Sequence, residues 1–154
     1  MSLFNNQREA NYKACLEMIE AVLQSFGLDP VASRLAEEGS VAWTFRRGSA
    51  QVYVFLSPGD QADNYLQVIA PVMRPSSDQR RDALFPRLLE LNASELTGAA
   101  FGLREGDVVL TTDRATTGLD RVEVEEMIRR IGAYADHYDD LLVTEFGGSR
   151  HSDL

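Results

Sequence analysis

Asp136-His137-Tyr138-Asp139-Asp140 is the stretch of this 154-residue chain richest in groups that bind metals or move protons. On a helix Asp136 and Asp140 stand one turn apart with His137 near both, so one face presents two carboxylates and an imidazole. A divalent cation could use such a cluster. Completing a transition-metal shell takes further His or Cys side chains. The chain offers only His151, near its end, and Cys15. The competing interpretation is the solvated acidic face of a long helix.

The other chemical options are thinner. Ser-His-Asp and Cys-His sites need a nucleophile beside a base, and two histidines leave little to build one from. Gly98-Ala99-Ala100-Phe101-Gly102 lacks GxGxxG spacing, no GxxxxGK[ST] occurs, and Gly147-Gly148 follows a helix rather than opening one, so nothing cradles a phosphate. Glu37-Glu38 fits a turn, and Glu123, Glu125 and Glu126 fit first-turn acids complementing a helix dipole. The expectation is a protein that is not an enzyme, with no catalytic residues, no metal and no cofactor.

The acidic segment rides on the clearest element in the sequence. Asp120 with Glu123 forms an acidic capping box, and Leu119 with Val124 a hydrophobic staple. Apolar residues recur at Val124, Met127, Ile128, Ile131, Ala135, Tyr138 and Leu142 until Phe146, where Gly147-Gly148 supplies a left-handed stop. A first helix, capped by Asn5 or Asn6, carries Ala10, Ala14, Cys15, Met18, Ile19, Val22, Leu23 and Phe26, then Gly27 and Asp29-Pro30. Residues 31–39 fit a loop or a short helix. Alternation through Val41, Trp43 and Phe45, the turn at Arg47-Gly48-Ser49, and Gln51 to Leu56 predict a hairpin. Ser57-Pro58-Gly59-Asp60 turns the chain into a third strand over Asn64 to Met73, with Pro71 near its end.

A second amphipathic helix is capped by Asp78 and has Leu84, Phe85, Leu88, Leu89 and Leu91 as its apolar set; Pro86 predicts a kink or a later start. Gly98 to Leu103 and Val108 to Thr112 flank Arg104-Glu105-Gly106-Asp107, a second tight hairpin. The order α-β-β-β-α-β-β-α implies an α+β fold, an antiparallel sheet of about five strands with helices packed against it. Residues 1–148 are expected to form one domain and 149–154 a disordered tail.

If Val52, Val54 and Leu56 face the helices, Tyr53 and Phe55 point to the opposite sheet face, where Tyr65 can join them. Either more of the same chain, or a dimer partner or client, covers that face. The last helix spans about 40 Å, whereas five strands of about six residues make a sheet about 20–25 Å across. Its overhanging end carries Tyr134, Tyr138, Leu141, Leu142 and Phe146. These residues, with Tyr53, Phe55 and Tyr65, form the candidate dimer or client surface, and a homodimer is expected.

The net charge of −9 argues against direct binding to nucleic acid or an anionic membrane, and favours a basic protein client, such as a nucleic-acid-binding protein. No apolar run approaches a bilayer span. One cysteine permits no internal disulfide, so a cytoplasmic setting is expected.

In Leu88-Leu89-Glu90-Leu91-Asn92, the hairpin from Gly98 to Thr112, Gly118-Leu119-Asp120 and Ala135 to Leu142, the chain resembles the YbjN family. That family is similar in fold to type III secretion chaperones. The resemblance is close over about 60 residues and loose over the rest, and its motifs are structural. It implies a small, commonly dimeric, non-enzymatic protein with a chaperone-like or regulatory role, and it brings no catalytic residues. A chaperone-like adaptor holding a protein client is the leading expectation. The alternative is a small-molecule sensory module that uses the aromatic sheet face as a ligand platform.

Overall fold

The computed structural model describes residues 3–59 and 63–154, so the Asp60 end of the expected Ser57–Asp60 turn lies outside the described residues. Its elements in chain order are α1 (Leu3–Ser25), α2 (Pro30–Ser33), β1 (Arg34–Leu35), β2 (Val41–Arg47), β3 (Ala50–Pro58), β4 (Asn64–Arg74), α3 (Arg80–Ser94), β5 (Ala100–Arg104), β6 (Asp107–Ala115), α4 (Arg121–Phe146) and β7 (Ser149–Arg150). A 3₁₀ turn, His151–Asp153, follows. The α+β order is as expected. The sheet has seven strands rather than five, hydrogen-bonded in the order β1-β2-β3-β4-β6-β5, with β7 on β4.

The two extra strands are two residues each, too short to carry a period-two pattern. β1 pairs Arg34 with Trp43 and Leu35 with Ala42, in the stretch that fitted a loop or short helix. β7 sets Arg150 opposite Met73 and Ser149 opposite Arg74, so the chain past Gly148 runs as strand and 3₁₀ turn where a frayed tail was expected. Arg150 fixes that segment, pairing with Asp153 at 2.9 Å and Asp140 at 3.0 Å. These carboxylates, Asp153 first, hold its guanidinium pKa above the ordinary arginine value.

Local chemistry explains the longer elements. At the start of α4 the Glu123 amide donates to Asp120 Oδ1 at 2.9 Å, and the Asp120 amide to Glu123 Oε2 at 3.0 Å, the reciprocal bonds of a capping box. Leu119 and Val124 are both buried beside it. Replacing Asp120 by Ala is expected to cost about 1 kcal/mol, read as a thermal midpoint lower by about 2–4 °C. The β5–β6 hairpin pairs Arg104 with Asp107 across a two-residue loop. Glu105 and Gly106 both take positive φ, 53° and 87°, as a type I′ turn requires.

Other expectations are corrected. α1 already runs from Leu3, so neither Asn5 nor Asn6 caps it. α3 continues through Pro86 and starts one residue beyond its N-cap, Gln79. Asp78 instead accepts from the Arg80 amide and guanidinium. Strands of 9, 11 and 9 residues at β3, β4 and β6 remove the short-sheet premise from which an overhanging last helix followed.

The chain divides into two compact units. The first is Met1–Phe45, Tyr53–Val68 and Asp113–Ile128; the second is Arg46–Val52, Ile69–Thr112 and Arg129–Leu154. Cys15, Ile19, Trp43, Val54, Leu56, Leu66 and Val124 are buried in the first, and Leu84, Leu88, Leu110, Ile131 and Leu142 in the second.

Candidate functional site

In the first unit, β3 alternates as the sequence implies. Val54 and Leu56 are fully buried, while Tyr53 and Phe55 are half-buried on the other face. Their rings lie nearly parallel, 12° apart in plane with centroids at 6.4 Å. On the neighbouring β4, Leu66 and Val68 are fully buried and Tyr65 is 48% exposed. Tyr53, Phe55 and Tyr65 thus share the sheet face opposite the core.

In the second unit, the residues expected at the far end of α4 separate into buried and exposed. Leu142 and Phe146 are 2% and 7% exposed and belong to the core, whereas Leu141 is 51% exposed. Tyr138 meets Phe101 edge-on at 5.4 Å and Tyr134 at 6.3 Å. Burial, and then nearby Glu95, raise the pKa of the Tyr138 hydroxyl. The Tyr134 hydroxyl accepts from the Thr97 amide at 3.1 Å. The two tyrosines therefore anchor the approach to β5.

A second apolar surface lies where α3 meets β5, a hollow of about 240 Å³ lined by Phe85, Leu88, Leu89, Asn92, Phe101 and Leu103. Leu89 and Leu103 are 69% and 54% exposed. β5 ends the strand order, and Asn92 covers part of its outer edge: its Nδ2 donates to the Phe101 carbonyl at 3.1 Å, and its Oδ1 accepts from the Phe101 amide at 2.7 Å. At Phe101 a side chain takes the place of a further strand, so this surface offers apolar side chains more than backbone. The sequence pattern assigned Leu89 to the apolar set of its helix without showing that it stays outside the core.

The acidic segment has a structural task. Asp136 Oδ1 accepts from the Ser49 amide at 2.8 Å, and Ser49 Oγ lies 2.7 Å from that oxygen and 2.6 Å from Asp139 Oδ2. Asp139 is buried, and the Asp140 amide donates to its Oδ1. Gly48, at φ 58°, comes so close that a Cβ there would meet Asp136 Oδ1 at 2.6 Å. Two carboxylates of α4 thus grip the turn before β3, and His137 points outward, exposed, with its ring against Tyr138. Among the described residues no three His, Cys, Asp or Glu side chains are grouped to hold a metal ion.

The Ser49 amide, and then its hydroxyl, hold the Asp136 pKa below the ordinary carboxylate value. A depressed folded pKa adds stability above the unfolded value of about 3.9, and that stability is lost as pH falls through the folded value. Asp136→Ala should therefore cost about 1 kcal/mol at pH 7. The gap in melting midpoint should narrow below about pH 3.9.

Charge is unevenly divided. The first unit holds 13 acidic and 5 basic residues, net −8, and the second 11 and 10, net −1. The first unit also has a hollow of about 290 Å³ lined by Arg8, Glu9, Tyr12, Pro58 and Asn64. Asn64 is fully buried there, with its Nδ2 donating to the Arg8 carbonyl and Asn11 and, among the described residues, no hydrogen-bond partner on its Oδ1. No described helix is long and apolar enough to cross a membrane.

Comparison with known proteins places this geometry. The model of the YbjN family, described as "Putative bacterial sensory transduction regulator", matches residues 16–143. No curated protein matches the sequence. Among solved structures, the chain is similar to one in the crystal structure of the ExsC–ExsE complex, with a TM-score of 0.63 and 16% identity over 84% of this chain and 94% of that one. It is likewise similar to a chain of the HopA1–SchA chaperone–effector complex, with a TM-score of 0.57 and 15% identity over 86% and 97% of the two chains. At these identities the likeness is one of fold.

Proposed function

Because this chain belongs to the YbjN family, we propose that it is a non-enzymatic, chaperone-like adaptor, working in the cytoplasm as a homodimer and holding an extended segment of another protein. The observation that carries this reading is the aromatic face of Tyr53, Phe55 and Tyr65, on a fold similar to chains solved in the ExsC–ExsE complex and in a chaperone–effector complex. Aromatic rings on a rigid sheet bind an extended segment through contact area at little conformational cost.

A different surface suits the second copy. The α3–β5 hollow exposes two leucines in the unit with net charge −1, where two like chains meet the least repulsion. Affinity purification from the source cell with wild type and a Tyr53→Ala/Phe55→Ala chain tests the adaptor reading. One stoichiometric protein partner, lost with the variant, is expected.

A small-molecule regulator is the second reading, favoured by the family description and by the hollow beside Asn64. A ligand released on denaturing the purified wild type, with no protein partner, would replace the first reading with this one.

A further inference from the structure

We infer that the segment held on Tyr53, Phe55 and Tyr65 is cationic, an extended run in which Arg or Lys alternates with apolar residues. This rests on the adaptor reading and adds the chemistry of the client. The aromatic face belongs to the unit that carries −8 of the chain's −9 charge. Arg34, Arg114 and Arg121, three of that unit's five bases, are already ion-paired within it, to Glu20, Glu123 and Glu125. Its excess of carboxylate is therefore not balanced internally. Glu37 and Glu38 before β2 and Asp113 on β6 are exposed.

Face and charge select together. Side chains two apart on a strand are about 7 Å from one another, close to the 6.4 Å between the Tyr53 and Phe55 rings, so alternate residues of an extended segment can follow these rings in step. A guanidinium or ammonium at an aromatic ring gains from the ring quadrupole, and the net negative charge of the unit attracts the same charge. The unit already makes such a contact internally, with Arg34 6.0 Å from the Trp43 ring centre. A segment with acidic residues at those positions would meet both the ring faces and the net charge unfavourably.

Three fluorescent twelve-residue peptides with the same leucines, interleaved with Arg, Ser or Glu, test this by anisotropy against the full-length protein. The Arg peptide should bind at least about tenfold tighter than the Ser peptide, and this preference should shrink as salt is raised. Tyr53→Ala/Phe55→Ala, checked for folding by circular dichroism, should abolish binding, and Tyr65→Ala, at an exposed position, should weaken it without touching the core. Ser and Arg peptides bound equally, both losing affinity in the variants, would overturn the cationic preference and leave the adaptor reading standing. No peptide bound, or binding indifferent to all three aromatic residues, would overturn both.

Discussion

The wild type is expected to sediment as a dimer at micromolar concentrations, and a Leu89→Glu chain as a 17.1 kDa monomer. Leu89 stands on α3 with most of its side chain in solvent, next to exposed Leu103 and above the hollow that Phe85, Leu88 and Phe101 line. In a two-fold interface each substitution occurs twice, so one change places two carboxylates in an apolar contact. Burying an unpaired carboxylate costs several kcal/mol. The dimer dissociation constant should therefore rise at least about 100-fold, or about 2.7 kcal/mol. The fold should not suffer, since Leu89 is not a core residue and Glu is nearly as good a helix former as Leu. Leu103→Glu should act in the same direction. A dimer that survives both changes lies elsewhere on the molecule, and a monomeric wild type refutes the dimer.

Asn92→Ala should lower stability by about 2–3 kcal/mol, because it strips both the donor and the acceptor from the Phe101 backbone at the edge of the sheet. The melting midpoint should fall by about 4–12 °C. Asn92→Asp separates this account from simple loss of volume. It keeps an acceptor for the Phe101 amide but turns a carboxylate oxygen toward the Phe101 carbonyl where Nδ2 now donates, so it should rescue little. A wild-type midpoint in the Ala variant would mean that this edge contributes nothing to stability.

These two residues mark how far the sequence could be read. The apolar set of the second helix runs out at Leu91, and α3 ends close by at Ser94. That the Asn92 amide serves a strand nine residues on depends on how the chain returns, which no local pattern encodes. Asp120 with Glu123, the Glu105-Gly106 turn and the β3 alternation were all legible, because each is decided by residues within a few positions of one another. β1 and β7 were not, being two residues long and defined only by their distant partners. In the candidate surface, period-two alternation placed Tyr53 and Phe55 outward. On α4 the 3.6-residue stripe runs through Leu142 to Phe146 and passes by Leu141, as the burial has it, and Leu142 and Phe146 were placed at the surface only by the expected overhang of the helix. On α3 the stripe counts Leu89, which lies outside because of what packs against that helix. The acidic segment showed its charge in the sequence, and its grip on Ser49 only in the fold.

Photo-crosslinking in the source cell, with a photoreactive phenylalanine derivative at position 53 and in parallel at position 89, tests the central claim most directly. Position 53 should yield one adduct with a different polypeptide, the crosslinked peptide rich in Arg or Lys, while position 89 should yield an adduct of two copies of this chain. Self-adducts alone at position 53, or no protein adduct there, would contradict the account.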